Sequence, residues 1–291
     1  MPSFAGRFEY LAPGRGAVRS GDCQLSFDDR TVTLVADGPP LAFDLGDIDA
    51  YEPGHCQVRL SLFNGHDLVL TRFAKAFSDM DRLLREAYRD RLVQCLLVSD
   101  LREAARFTGW VTLDSPVRQC GGPSEIRLYD SNLAVLPDAG AGFQWRLADV
   151  DRVVFDEANY AVTFVRGGER LSVGRLAKRT GELADRAQAR MTALKERSAR
   201  ALHVVFPFLG PEPFARVAAA MPEGRSVSIA DLAAVHPLIG PALLETAVAP
   251  GLRPYVRALA GRAASPWFAG FKVVRQETGD GGEFKCGPTD R

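Results

Sequence analysis

Aspartates cluster at one point of the chain and recur at a later one. Asp44, Asp47 and Asp49 fall within six residues, and Asp149 and Asp151 follow at an offset of 102. Close carboxylates suit a divalent cation or general acid–base chemistry. The recurrence favours a turn or cap instead, because an element that the fold needs is repeated with the fold. We therefore predict structural roles for Asp47, Asp49, Asp149 and Asp151.

His55, Cys56 and His66 lie near one another in sequence, and Cys23 or Asp67 could complete a zinc site. The spacing is sparser than in most zinc sites, which favours loop and edge-strand roles. No P-loop, dinucleotide fingerprint, nucleophile elbow or H-E-x-x-H motif is present. We therefore expect no metal, no cofactor and no catalytic residues, with an enzyme of unrecognised type as an open alternative.

A second group of residues could face a partner protein. It comprises Arg175, Lys178, Arg179, Arg186 and Arg190. Glu182 lies among them, so a solvated helix face is the simpler interpretation. Trp267, in a Pro-flanked segment, would either anchor the end of the chain or form a docking patch.

The bulk composition is that of an ordinary soluble protein with enough residues, 291, for two or three domains. Its 36 basic and 36 acidic side chains cancel, so no long-range field directs it to nucleic acid or an anionic membrane. Scattered cysteines and the lack of an apolar leader at residues 1–10 predict a cytoplasmic protein. Only five of the 36 basic residues are Lys, which suggests a GC-rich bacterial coding sequence.

The chain repeats itself with a nearly constant offset. Three blocks align, namely 25–34 with 126–135, 41–49 with 143–151, and 68–75 with 171–178, at offsets of 101, 102 and 103. Alternating apolar residues predict strands in the first repeat at 8–11, 24–27, 32–35, 41–45, 57–63 and 67–71. Asn64-Gly65 predicts a hairpin turn. An amphipathic helix follows the strands in each repeat.

This order of elements resembles the pleckstrin-homology-like superfold. The strand exits Leu45-Gly-Asp-Ile48 and Leu147-Ala-Asp-Val150 look like those of its bacterial and GRAM-type members. The resemblance covers residues 5–98 and 104–203. It implies a mainly β fold with α: two tandem barrels of six or seven antiparallel strands, each closed by a C-terminal helix, and a small helical tail. We place the domains at 1–103, 104–203 and 204–291.

The tail is different in character from the two repeats. Helices are predicted at 213–221, 229–235, 241–249 and 254–260, with a terminal hairpin from 271–276 and 283–286. Helices followed by a hairpin permit a winged-helix interpretation. Helix 241–249 contains Glu245 and no Lys or Arg, so we do not expect nucleic-acid binding.

The resemblance also implies a class of function. Members of the superfold bind peptides or protein helices between a sheet edge and the closing helix, and we predict a non-catalytic protein-binding or scaffold module with another protein as partner. Lipid-binding members use basic residues on the first two strands, which here are Arg15 and Arg19. A peripheral membrane adaptor is therefore the alternative, although the acidic strands of the first repeat would repel an anionic headgroup.

Overall fold

The structure, a computed structural model, describes residues 2–116, 119–262, 266–276 and 279–288, with side chains up to residue 273. The chain divides into two compact units, Met1–Ala187 and Gln188–Arg291. The first unit contains two seven-stranded modules, and each unit is described separately below.

The first module is one antiparallel sheet closed by a helix. Its strands are β1 (Ser3–Leu11), β2 (Ala17–Phe27), β3 (Thr31–Val35), β4 (Leu41–Asp44), β5 (Ile48–Gly54), β6 (Gln57–Leu62) and β7 (Asp67–Thr71), followed by α1 (Phe77–Cys95). The strand order is β4-β3-β2-β1-β7-β6-β5, so the long strand β1 joins a four-stranded half to a three-stranded half.

The second module repeats this plan. Its strands are β8 (Glu103–Asp114), β9 (Cys120–Tyr129), β10 (Asn132–Pro137), β11 (Phe143–Arg146), β12 (Arg152–Asp156), β13 (Ala161–Arg166) and β14 (Glu169–Gly174), followed by α2 (Thr180–Val205). The order β11-β10-β9-β8-β14-β13-β12 is the first order with seven added to each number. The prediction of a mainly β fold built from two such modules, each ending in a helix, is confirmed.

The core of the first module lies between the sheet and α1. Alternate residues of β6 and β7, such as Val58, Leu60, Leu68 and Leu70, are fully buried because a strand turns successive side chains to opposite faces. Met80, Leu84 and Tyr88 are spaced by four along α1 and close the core from the other side.

The sequence prediction of the strands in the first module is incomplete: β1 and β2 begin earlier than predicted, at Ser3 and Ala17, and one strand is missing. It omitted β5, because Asp49 and Pro53 are turn-forming residues. β5 is nevertheless a strand, since it lies at the end of the sheet, where Pro is tolerated, and its register shifts between Ile48 and Ala50.

The second unit contains the rest of α2 and a small mixed fold. Its further elements are α3 (Pro211–Ala220), β15 (Ser226–Ser228), α4 (Ile229–Val235), α5 (Ile239–Ala247), α6 (Arg253–Ala260), β16 (Trp267–Gln276) and β17 (Gly279–Pro288). The sheet order is β15-β16-β17, all antiparallel. In this unit a helix, a short strand, three helices and a hairpin follow one another along the chain, and the winged-helix interpretation stays a prediction.

No helix in the described part of the chain is both long and apolar enough to cross a bilayer.

Candidate functional site

Strands β5 and β12 occupy the same position, at the end of the sheet in their respective modules, but their outer edges differ. In the first module, the loop between β10 and β11 lies against the edge of β5. The Gly140 N–H donates to the Tyr51 carbonyl oxygen at 2.9 Å, and the two residues form an isolated antiparallel bridge. The chain therefore adds its own segment to the edge of β5.

Ion pairs hold this loop against α1. Asp138 accepts a hydrogen bond from Arg89 and lies 3.6 Å from Arg85, and both arginines project from α1. The side chains of the two arginines are only 18% and 22% exposed, so these pairs are screened less than surface pairs. Arg89 also lies 3.9 Å from Glu125 of β9.

The loop between β10 and β11 also packs closely against α1. A Cβ atom on Gly142 would overlap the end of the Leu92 side chain of α1, so a larger residue here would require that side chain to move. The Gln144 side-chain amide donates to the Leu96 carbonyl oxygen at 2.6 Å. We call the contacts of residues 138–144 with β5 and α1 the module junction.

Tyr51 lies at the centre of the module junction and is fully buried. Its hydroxyl donates to Asp81 Oδ1 at 2.6 Å, and the Arg85 guanidinium lies 5.6 Å from its ring centroid. Burial raises the pKa of the Tyr51 phenol far above its usual value, and the Asp81 carboxylate raises it further. Tyr51 is thus an uncharged hydrogen-bond donor at neutral pH.

The edge of β12 carries no such segment. Among the described residues, only β13 pairs with β12, in the register Val153↔Phe164. Val154 and Phe155 are 44% and 39% exposed, and Tyr160 in the turn to β13 is 64% exposed. An open strand edge flanked by exposed apolar side chains is a template for pairing with another chain.

The residues of the module junction were not predicted from the sequence, although the comparison of the two repeats contains one indication of them. At the offset of 103 that aligns the two helices, Arg85 and Arg89 correspond to Gln188 and Thr192. Two arginines on one face of α1, without counterparts in α2, indicate a contact that only the first module makes.

The two arginines of the lipid-binding alternative, Arg15 and Arg19, differ in exposure and in their contacts. Arg15 is exposed in the β1–β2 turn, where Gly14 adopts a positive φ. Arg19 is half-buried, donates to the Asp37 carbonyl oxygen at 3.1 Å and lies 5.7 Å from the Phe8 ring centroid. Lipid binding through Arg15 and Arg19 stays a prediction. Of the two side chains, Arg19 also makes contacts within the protein.

Three residues of the predicted basic group, Arg175, Arg179 and Arg186, contact side chains of this same chain. Arg175 lies 4.1 Å from the ring centroid of Trp110, and Arg179 lies 4.3 Å from that of Phe107. Glu182 accepts hydrogen bonds from Arg179 at 2.9 Å and pairs with Arg186 at 3.0 Å. These pairs lower the pKa of the Glu182 carboxyl.

The remaining members of the predicted partner-binding set differ in exposure. Lys178 is exposed, and Arg190 is half-buried on α2. Trp267, at the start of β16, is half-buried, and its indole Nε1 has no hydrogen-bond partner among the described residues. Their role in partner binding stays a prediction.

Three of the four predicted structural aspartates accept hydrogen bonds in turns or caps. Asp47 Oδ2 accepts from the Asp44 backbone N–H at 3.2 Å, in a capping box around the turn 45–47. Asp149 accepts from Arg146 Nε at 2.8 Å, and Asp151 accepts from the Gly167 N–H at 2.7 Å. Asp49 is exposed.

The histidine–cysteine group is spread over turns of the first module. His66 stacks on Tyr10 with ring centroids 4.9 Å apart, and Cys56 is an exposed turn residue with a φ of 58°. Within the described ranges, no three His, Cys, Asp or Glu side chains converge as metal ligands.

Comparisons with known proteins found likenesses in structure. No family model and no curated protein matches the chain. Among solved structures, it is similar to the inner membrane complex sub-compartment protein 3 of Toxoplasma gondii, at 18% identity over 29% of this chain and 74% of that one, with a TM-score of 0.23. It is also similar to the pleckstrin homology domain of USP37, at 16% identity over 31% of this chain and 98% of that one, with a TM-score of 0.24. A Vav1 structure matches at 12% identity over 45% of this chain and 43% of that one, with a TM-score of 0.29.

Proposed function

We propose that this chain is a non-catalytic protein-binding module, and that the open edge of β12 takes an extended segment of a partner protein. One observation carries the proposal: the equivalent edge, on β5, is already bound to a peptide segment, which the chain itself supplies at Gly140. The two edges have the same place in the same strand order, so the second is suited to the same kind of ligand.

Strand addition explains the chemistry of such an edge. Backbone N–H and C=O groups give affinity without a particular sequence, and the side chains beside them give selectivity. Val154 and Phe155 would contact alternate side chains of the added strand, because neighbouring residues of a strand face opposite sides of the sheet. Exposed edges in proteins commonly carry charges or proline, and β12 presents Val154 and Phe155 between the charged residues Arg152 and Asp156.

A non-catalytic role agrees with how the carboxylates are used. The aspartates at the two strand exits, Asp47, Asp149 and Asp151, accept hydrogen bonds from backbone or arginine groups in caps and turns. Their geometry is that of structural residues and requires no reacting group nearby.

The test uses a phage-displayed library of random peptides, selected on the full-length chain. We expect selected peptides to bind the Val154→Lys/Phe155→Lys variant at least about tenfold more weakly, which corresponds to about 1.4 kcal/mol. Lysine side chains charge the edge and disfavour strand addition. In hydrogen-exchange measurements, bound peptide should slow exchange of the β12 amides.

Val18→Lys is the matched control, because Val18 is 62% exposed on β2 of the first module. Its peptide affinity should equal that of the unchanged chain. Equal binding by the β12 variant, or protection confined to amides outside β12, would refute the edge as the binding site.

A further inference from the structure

The residue order of β12 makes this strand complementary to an antiparallel copy of itself. Its sequence is Arg152-Val153-Val154-Phe155-Asp156, so a cation and a carboxylate flank three apolar residues. An antiparallel pair centred on Val154 sets Arg152 of each copy opposite Asp156 of the other. Self-complementarity of this kind suits a two-fold contact, in which both copies use the same surface.

The backbone of β12 is oriented for such a pairing. In the first module, the Tyr51 carbonyl oxygen faces the outer edge of β5, where the Gly140 N–H donates to it. Val153 follows Tyr51 at the repeat offset of 102, and both residues have the same register position against the next strand. The N–H and C=O groups of Val153 therefore face the open edge, as do those of Phe155 two residues later.

In a pair centred on Val154, these outward backbone groups meet one another. Val153 of one copy stands opposite Phe155 of the other, and such a pair exchanges both of its backbone hydrogen bonds. Val153 with Phe155 is also a β-branched–aromatic side-chain pair, and Arg152 with Asp156 is an oppositely charged pair. Both kinds of cross-strand pair stabilise sheets, so the backbone and the side chains favour the same alignment.

The side chains of this alignment are accessible. Val154 and Phe155 are 44% and 39% exposed, Arg152 is exposed and Asp156 is half-buried. The side-chain amide and the backbone N–H of Asn159 donate to Asp156 at 2.7 and 3.0 Å, and these hydrogen bonds lower the pKa of its carboxyl. Asp156 is therefore charged at neutral pH, and a carboxylate has room for a further donor.

Two features keep the contact weak. Asp151 and Glu157 lie just outside the strand, and each would approach the other across the two copies, where like charges repel. The strand itself has only five residues, and an interface of this size belongs to the transient class. A partner segment that lacks this repulsion therefore binds the edge more tightly than a second copy does.

We propose that β12 pairs antiparallel with β12 of a second copy, centred on Val154, and that a partner segment displaces the second copy. The inference rests on the proposed function in one respect, since it takes the same edge to be open to strand addition. It adds a second occupant and a means of regulation, because self-association covers the edge until a partner is present. The paired residues all belong to the unit Met1–Ala187.

Sedimentation velocity of the full-length chain over a dilution series tests the dimer. We expect a reversible monomer–dimer equilibrium with a dissociation constant above about 1 µM. Arg152→Asp and Asp156→Arg each set like charges opposite each other and should raise this constant at least about tenfold. Lys75→Asp, an equal charge change at an exposed site of the first module, is the matched control and should dimerise like the unchanged chain.

Combining the two charge reversals restores the complementary pattern. The Arg152→Asp/Asp156→Arg chain again sets opposite charges across the pair and should recover most of the lost association. An equimolar mixture of the two single variants should also dimerise, because each mixed pair has an acidic strand against a basic one. Damage to the fold, including loss of the Asn159 hydrogen bonds, would not be reversed in either case.

Disulfide formation tests the register. In a Cys56→Ser/Cys95→Ser background, which removes two exposed thiols, Val154→Cys should give a crosslinked dimer under mild oxidation. Directly opposed residues at such a position have Cα atoms about 4.5 Å apart, within the range that a disulfide spans. Phe155→Cys is the control on the same strand. It would lie roughly 8–9 Å from its copy, beyond that range, and should crosslink far less.

Regulation by a partner is read in the same sedimentation experiment. A peptide selected on the β12 edge should convert the dimer to monomer. A monomer at every concentration, a dimer that the double charge reversal does not restore, or equal crosslinking by Val154→Cys and Phe155→Cys would overturn the inference. Peptide binding to a chain that stays monomeric would leave the proposed function standing, whereas a dimer without any selected peptide would count against the proposed function alone.

Discussion

Asp44 illustrates how much one side chain can organise. Its carboxylate accepts hydrogen bonds from the Gly46 N–H at 2.7 Å, from Arg30 at 2.9 Å and from Arg91 at 2.8 Å. It thereby links the end of β4, the following turn and α1. The residue at the same place in the second module is Arg146, which donates to Asp149 instead. The two modules thus stabilise the same turn with opposite charges.

The pKa of Asp44 predicts a pH dependence of stability. The hydrogen bond from Arg91, assisted by those from Gly46 and Arg30, lowers the pKa of the carboxyl to about 2. A carboxyl with a lowered pKa stabilises the fold above its unfolded pKa, and this contribution is lost as the pH falls toward the folded pKa. Because solvent screens a partly exposed carboxylate, we expect this contribution to the free energy of unfolding to be about 1 kcal/mol.

The measurement is urea unfolding of the unchanged chain and of Asp44→Asn at several pH values. The difference in their free energies of unfolding should be constant near neutral pH and should shrink between about pH 4 and pH 2. Asp100→Asn, which changes an exposed carboxylate, is the control and should show no such trend. A difference that stays the same at low pH would contradict this role of the Asp44 charge.

At the scale of elements, one packing feature occurs in both modules. Gly6 of β1 lies under the Phe73 ring, and Gly109 of β8 lies under Leu176. Both pairs are related by the offset of 103 that relates the two repeats. Glycine in mid-strand weakens a strand, and it is required here because a buried side chain from the segment after the last strand crosses over it.

Alanine at either glycine should therefore destabilise its module. A Cβ on Gly6 would lie 2.5 Å from the Phe73 ring, and one on Gly109 would lie 2.7 Å from the Gly174 carbonyl oxygen. We expect losses of about 1–3 kcal/mol in the free energy of unfolding. The Gly109→Ala loss should be the larger one, because a paired backbone moves less readily than a side chain.

Denaturant unfolding measures both losses. Gly121→Ala on β9 is the matched strand control, since its new Cβ would meet nothing closer than the Val111 carbonyl oxygen at 3.9 Å. It should change stability by no more than about 0.5 kcal/mol. Equal effects of all three substitutions would show that glycine propensity, and not the crossing side chain, accounts for the loss.

At the scale of the whole molecule, the module junction makes the two modules parts of one compact unit. Arg85 and Arg89 of α1 meet Asp138, and Gly140 extends the edge of β5. The first module therefore has its peptide edge filled, and the second has its edge open. In the same repeated fold, the edge of β5 is therefore occupied by a segment of this chain, and the edge of β12 is unoccupied.

Breaking the junction should uncouple the modules. Asp138→Lys places a cation against two arginines, and we expect the free energy of unfolding to fall by about 1–3 kcal/mol. In differential scanning calorimetry of the full-length chain we expect the two modules to unfold in one transition, which Asp138→Lys should broaden or divide into two. Glu157→Lys, an equal charge change in the exposed β12–β13 turn, should leave the transition intact. Uncoupling by both variants, or by neither, would contradict the role of Asp138.

The sequence by itself determined the repeat, the fold class and most of the elements, because apolar periodicity and turn residues act over short distances. Strands such as β6 and β7 and the helices α1 and α2 follow directly from alternating or helical spacing. The missed strand β5 shows the limit, since its Asp and Pro residues favour a turn locally and only its pairing with β6 makes it a strand.

Only the tertiary structure decided which surfaces are occupied. The bridge from Gly140 to Tyr51 joins residues far apart in the chain. Arg85 and Arg89 indicate that α1 makes a contact that α2 does not make, but no pattern in β5 or β12 shows which of the two edges is filled. Exposure depends on everything that packs around a residue, and for that reason these sites became visible only in the folded chain.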